Sequence, residues 1–418
     1  MQRILYIIFS VSILLTSCKK ETVAEYWPET TPQTTLMYMT GTDLLNKGFY
    51  TTNISAAKQA IAKNALGYGR FLVFKHISST TGSLTEYSYS NGSCTEVVLK
   101  EYSDITSLTQ EAIIEVIADT KEFAPADSYN LIISGHGTGW VPQERQSTSW
   151  SVAPAAGVSQ QSTSYESVDW EAMSTSLVPT RYMGSSTDSF MDIDQLESAL
   201  ASSDTHFGYI IFDQCFMSSI EVLYDLRNHC NYMVASPCEI MGAGFPYDTV
   251  VPYLYADSGY SFNLEGVCQA YYDYYSTYSY PSGCVAVAVS SQLDALAAVT
   301  REINSLESPN SVDLSTIQPY ERLSNHIFYD FEQYMLAKCS DYELAAEFTK
   351  QMALAFPLEC RLHTERFFAN IGVSASSYNN YDAYYTNIDY YSGVTTSAPS
   401  SQMSTEWAET SWAAAVGL

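Results

Sequence analysis

Positive charge is scarce in this chain of 418 residues: 19 Lys and Arg stand against 46 Asp and Glu, a net charge of −27. A surface of that sign repels phosphate backbones, which argues against nucleic acid as a partner. It argues equally against attachment to anionic lipid through a basic patch. Cationic partners, or simple solubility, are what it favours. The nine cysteines contain no Cys-x-x-Cys pair, so neither a zinc ribbon nor a redox dithiol is supported. Carboxylates never fall at the spacing of a calcium-binding EF-hand loop. Past the first residues, no stretch approaches the ~20 apolar residues of a spanning helix. With 46% hydrophobic and 16% charged residues, what remains is a globular chain. Its length suits one large domain or two to three smaller ones.

The first residues carry an address. Arg3 precedes an apolar run from Ile4 to Leu15, and Thr16-Ser17-Cys18 follows. A positive start, a short apolar stretch and small residues at its end read as a secretory signal over 1–17. The segment Leu15-Thr16-Ser17-Cys18 resembles a bacterial lipobox. That resemblance implies an acylated Cys18 as the mature first residue, attached to a membrane through its lipid. The expected location is the bacterial cell envelope, on the periplasmic or the surface face of the outer membrane. Residues 18–33 are polar, contain Pro28 and Pro32, and read as a linker between anchor and fold. Export permits disulfides, but the pairing of the eight remaining cysteines is not legible.

From residue 34, short apolar runs alternate with helical periods, the pattern of a mainly parallel sheet flanked by helices. Thr35–Met39 and Phe71–Phe74 read as strands, and 54–66 as a helix. Asn91-Gly92 between two alternating stretches predicts a hairpin, because these residues accept the positive φ of a tight turn. Asn130 to Ser134 reads as a buried strand ending at Gly135-His136-Gly137. Tyr209 to Phe212 reads as another, ending at Asp213-Gln214-Cys215. A helix over 217–228, a strand over 232–235, a helix over 264–278 and a strand over 284–289 follow. The expected division is an α/β core over 34–290 and a C-terminal helical and β extension over 291–418. The extension's tyrosines, Tyr378, Tyr381, Tyr384, Tyr385, Tyr390 and Tyr391, read as packing on a surface or edge. Between Trp140 and Asp188 lies a polar stretch longer than most loops in compact domains, open to reading as a lid, an activation segment or disorder.

Chemistry enters at the two strand ends. A thiol attacks a carbonyl as thiolate, so a cysteine nucleophile needs a neighbour that takes its proton, and histidine does so near neutral pH. Parallel strands ending at His136 and Cys215 would place such a pair together, at the edge where open α/β sheets bind ligands. Gly137 lets the backbone approach closely, and its N–H and that of Cys215 suit a developing oxyanion. A buried structural cysteine remains the plain alternative.

At these residues the chain resembles the clostripain family of cysteine peptidases, in the clan of caspases and gingipains. The resemblance rests on His136-Gly137-x-Gly139-Trp140, then on Asp213-x-Cys215-x-Met217 with Glu221. Ser236, Glu239 and Gly242-x-Gly244-Phe245-Pro246-Tyr247 complete it. It implies a caspase-like fold, His136 as general base and Cys215 as nucleophile. It also implies Asp213 at the floor of a pocket for a substrate Arg or Lys, with Glu239 at its rim and Ser236 among the substrate-binding residues. A carboxylate at a buried edge is costly unless paired, which agrees. Capping of the helix after Cys215 is the structural alternative for Asp213. Maturation by self-cleavage is implied between the His and the Cys, where Arg145 and Arg181 are the candidate sites. No metal site is expected and no cofactor is required, although calcium is bound by some relatives. Three alternatives stand beside this reading: a catalytically silent lipoprotein of the same fold that binds or scaffolds, a peptidase of different primary specificity such as Asp or Asn, and a glycan-binding surface protein resting on the tyrosines.

Overall fold

The computed structural model describes residues 30–40, 45–106, 108–142, 181, 191–371 and 381–418. Branched and aromatic runs become β1 (Thr31–Met39), β2 (Arg70–His76), β3 (Gly82–Ser90), β4 (Ser93–Tyr102), β5 (Ala126–Ser134), β6 (Phe207–Asp213), β7 (Cys230–Ala235) and β8 (Cys284–Val289). After β9 (Tyr329–Asp330), the short β10 (Leu362–His363) completes a nine-stranded sheet in the order β10-β8-β7-β6-β5-β1-β2-β3-β4. The middle five strands, β7 through β2, are parallel. Antiparallel strands close both ends. β1 begins three residues before the expected start of the core at 34, so Thr31 already pairs with Ala126. The β3–β4 hairpin turns at Asn91 and Gly92, with φ of 49° and 80° as its two-residue turn demands.

Helices cover both faces, as they must when parallel strands are buried on both sides. α1 (Thr51–Ile61) precedes β2, and α2 (Gln110–Phe123) leads into β5. α3 (Ile193–Ser202) precedes β6, and α4 (Ile220–Leu226) follows it. α5 (Tyr247–Leu254) and α6 (Leu264–Thr277) lie between β7 and β8. α1 packs on α5 and α5 on α6, while α2 packs on α3 and α3 on α4. α4 starts three residues later than the periodicity suggests. Ser218 gives its N–H to Ser236 O and its carbonyl receives the Thr395 N–H, so those backbone groups are committed outside a helix.

The segment after 290 is joined to this core. α7 (Leu293–Asn304) packs against α9 (Tyr342–Ala355), with α8 (Phe331–Lys338) between them in sequence. β11 (Arg366–Phe368) pairs with β12 (Tyr385–Asn387), and β13 (Thr395–Thr396) with β9. The tyrosines here pack inward more than expected. Tyr384 is buried with its ring stacked on Phe368, and the Tyr391 hydroxyl donates to Val285 O at 3.0 Å. Tyr378 and the side chain of Tyr381 lie outside the described residues. No described helix is long and apolar enough to cross a membrane.

Candidate active site

Register brings the two reactive residues together. Ser134 on β5 stands level with Asp213 on β6, so His136 and Cys215 each emerge two residues past a matched pair. The Gln214 amide donates to His136 O at 2.5 Å and ties the two strand ends. Gly137 lies so close that a Cβ there would come 2.5 Å from Cys215 O, a position only glycine tolerates. Phe216, next to the cysteine, has φ of 60°, and its ring stacks on Phe328. A non-glycine residue held at positive φ beside a reactive group is local strain that the surrounding packing maintains.

The Cys215 side chain is fully buried. Its Sγ accepts the Ile240 N–H at 3.2 Å. Burial pushes the thiol well above the ordinary cysteine range, and the negative charge of Glu239 pushes the same way. The thiol form therefore dominates in this state of the chain.

Beside the thiol, Arg181 is completely buried in a polar socket. Its Nη1 lies 2.9 Å from Asp213 Oδ2 and donates to Ser134 Oγ at 2.6 Å and to Asp213 O at 3.0 Å. Nη2 donates to Asn53 Oδ1 at 2.7 Å, and Nε to Gly242 O at 3.3 Å. Tyr247 donates its hydroxyl to Asp213 Oδ2 at 2.8 Å, completing the carboxylate's surroundings. Burial raises Asp213 above the usual carboxylate range, and Arg181 and Tyr247 pull it back. Burial alone would lower the guanidinium; Asp213 together with Tyr247, Tyr50 and Tyr275 outweighs it, and Arg181 stays charged. Gly244, at φ of 65°, leaves the space that Nη2 occupies.

The Arg181 main chain is engaged as well. Its N–H donates to Ile240 O at 2.7 Å, and its carbonyl accepts from His136 Nδ1 at 2.9 Å. That bond requires the tautomer or cation with a proton on Nδ1. Of the sequence-derived candidates, His136, Gly137, Asp213, Cys215 and Arg181 thus converge. Ser236 instead turns onto Cys238, accepting its N–H and donating to its carbonyl. Glu239 accepts the Ile371 N–H at 2.8 Å and acts on the thiol by charge. Arg145 and Cys18 lie outside the described residues.

Sequence reasoning missed Asn53 and Ser134 in the socket and gave Tyr247 no role. The one available signal was an Asn directly before the helix expected over 54–66, which looks the same as a cap. Glu221, noted only as part of a motif, accepts from Ser219, Thr396, Trp407 and the Ser397 N–H. It locks the C-terminal segment behind the turn that carries Cys215. All eight described cysteines are unbridged. Among the described residues, no three His, Cys, Asp or Glu side chains gather as metal donors.

Comparison with known proteins agrees with the fold. The clostripain family model, of C11 peptidases, matches residues 170–407. A secreted C11 cysteine protease from Bacteroides thetaiotaomicron is 30% identical, with 93% of this chain and 100% of that one covered at a TM-score of 0.77. An inactive zymogen C11 protease from Parabacteroides distasonis is 26% identical, covering 93% and 99% at a TM-score of 0.72. A second secreted C11 protease from Bacteroides thetaiotaomicron, in complex with an irreversible peptide inhibitor, is 23% identical and shares the fold at a TM-score of 0.70. No curated protein matches the chain.

Proposed function

We propose that this chain, which belongs to the clostripain family and is a cysteine peptidase with a caspase-like α/β fold, cleaves peptide bonds after arginine through His136 and Cys215. One observation carries the reading: Arg181 occupies the Asp213 socket while its own carbonyl faces His136. A substrate arginine in that place would present the bond after it to the two reactive side chains. Cys215, as thiolate, adds to the carbonyl carbon. The N–H groups of Gly137 and Cys215 receive the developing oxyanion. His136 protonates the leaving amine, and water then hydrolyses the thioester.

Arginine is preferred to lysine on donor geometry. Three guanidinium nitrogens serve Asp213, Ser134, Asn53 and Gly242, and a single ammonium cannot reach all of them. Each buried acceptor left unmatched costs about 1–3 kcal/mol, so lysine substrates should be roughly tenfold to a hundredfold poorer. Like-charge repulsion at Asp213 disfavours acidic residues there.

The same observation supports self-cleavage after Arg181. In the intact chain this residue fills the socket and Cys215 is held as a thiol, so the uncut protein is latent toward other substrates. Cys18 would anchor the protease by its lipid in the bacterial envelope, with protein or peptide substrates bearing Arg or Lys. These steps require no cofactor, and assaying the rate with and without a chelator tests whether calcium contributes.

The test is a fluorogenic panel with Arg, Lys, Asp, Asn or Leu at the scissile position, run on wild type and Cys215→Ala, beside intact-mass measurement. Cleavage after Arg that disappears with the sulfur, and a wild-type chain cut after Arg181, are expected. Sulfur-dependent cleavage with no basic preference would overturn the Asp213 pocket. A fully active chain that stays intact would overturn the latency.

A further inference from the structure

The inference deepens the proposed function and rests on it: it concerns what the peptidase reads beyond the scissile bond. Arg181 lies with its N–H on Ile240 O and its carbonyl on His136, so the chain's direction across the site is defined. A substrate in Arg181's place would carry its residues before the scissile bond over the loop after β7, and those after it past His136, toward β5 and β1.

On that leaving side the strand ends border a partly open cavity of about 70 Å³. Its walls are mostly apolar, with Ile113 and Ile117 from α2, Leu131 and Ile133 from β5, and Leu196 from α3, while Thr40, Thr138 and Gln214 also line it. The backbone from His136 to Gly139 lines it too, so the cavity touches the catalytic loop directly. Asp213, Asn53 and Tyr247 do not line it, and the arginine socket is a separate space. The chain after Arg181 is next described at Met191, and Met191 also lines this cavity. An apolar side chain from the carboxyl side of the candidate cleavage site therefore already borders it.

From this placement we propose that the cavity is a subsite for one apolar side chain on the carboxyl side of the scissile bond. Its occupant is an unbranched or branched aliphatic side chain of the substrate, such as Leu, Ile or Met. The size sets the limit: a cavity of roughly 150 Å³ takes benzene, so one half as large takes an aliphatic group and excludes an indole. Charged side chains are disfavoured because most of the wall is apolar and does not replace their hydration. Discrimination in an apolar pocket is about tenfold or more per methylene group, and leucine over glycine should show at least that.

The experiment uses the full chain, incubated until it cuts after Arg181, and internally quenched peptides with Arg at the scissile position. Leu, Met, Trp, Gly or Asp is placed in turn at each of the first four positions after the Arg. At one position, kcat/KM for Leu and Met should exceed Gly and Asp by about tenfold or more. Ile117→Phe, which fills the cavity, should flatten that ratio. Ile117→Ala, which enlarges it, should shift the preference toward Trp. Cleavage after Arg with equal rates at all four positions would overturn this inference and leave the proposed function standing. An aliphatic preference that survives both substitutions would overturn it as well, since the preference would then be read elsewhere. Absence of cleavage after Arg in every peptide would remove the proposed function and this inference together.

Discussion

Two ion pairs, one at the edge of the sheet and one at the end of an interior strand, are built to different ends. Lys58 on α1 meets Glu96 on β4 at 2.9 Å, with side chains 38% and 57% exposed. Arg181 meets Asp213 at the same distance with both side chains wholly buried. The outer pair keeps its water, so it is weak and replaceable. The inner pair has given up its water, a cost that the mutual attraction repays only with additional hydrogen bonds. Those bonds are present, from Ser134, Asn53, Gly242 and Tyr247. A fold needing only stability would place a hydrophobic contact there. A socket so specific to one guanidinium makes sense as recognition, with Arg181 as its first occupant.

The sharpest break of that contrast is to remove one partner of the buried pair. Asp213→Ala strands the guanidinium in the socket. In a Cys215→Ala background, which keeps the chain intact, urea unfolding should show a loss of about 3–5 kcal/mol. Arg181→Met in the same background should cost less, because a carboxyl can take up a proton where a guanidinium cannot. Without Arg181, Asp213 keeps the burial that raises its pKa and loses the charge that opposed it. A carboxyl raised in the folded state contributes most below its unfolded pKa, and that contribution is lost as pH rises through the folded value. Arg181→Met should therefore grow less stable from acid toward neutral pH, relative to its parent. Equal costs for the two variants, with no change in pH profile, would contradict the pairing.

Arg70 tests the middle ground. It binds both oxygens of Glu86 at 2.7 and 2.8 Å and donates to Phe123 O, half-buried at the start of β2. Arg70→Ala should cost about 1–3 kcal/mol by urea unfolding, between the inner and outer pairs. Asp330 supplies the titration of an unpaired buried acid. Burial raises its pKa to about 6, against the N–H groups of Gln333 and Ser392 that favour the anion. Its contribution is complete below about 3.8 and is lost as pH rises through about 6. Asp330→Asn should flatten the stability profile across that window and leave it unchanged above.

Much of this was legible from residues alone. The two strand ends bearing His136 and Cys215 were readable because parallel strands announce themselves as short apolar runs that stop at polar residues. The Asn91-Gly92 turn was readable because few dipeptides accept its backbone angles. Asn53 was not, since its partner lies 128 residues away and helical periodicity says nothing about contacts at that range. The late start of α4 was hidden for the same reason: Ser218 is held by Ser236 and Thr395. The tyrosines misled because composition reports polarity, while Tyr384 and Tyr391 are placed by Phe368 and Val285. Local patterns carried the strands; pairings across the chain shaped the socket.

The smallest effect belongs to the outer pair and is the control that gives the others meaning. Lys58 sits in the last turn of α1, where a cation complements the helix terminus, and also near the Tyr87 ring. Its exposure lets water and salt screen all of these contacts. Lys58→Ala should lower stability by no more than about 1 kcal/mol. Whatever loss is seen at low ionic strength should shrink at high salt, while cleavage after Arg proceeds at the parent rate. If Lys58→Ala instead cost as much as Asp213→Ala, burial would not be what separates the two pairs. The reading of Arg181 as a seated substrate would then need support other than its desolvation.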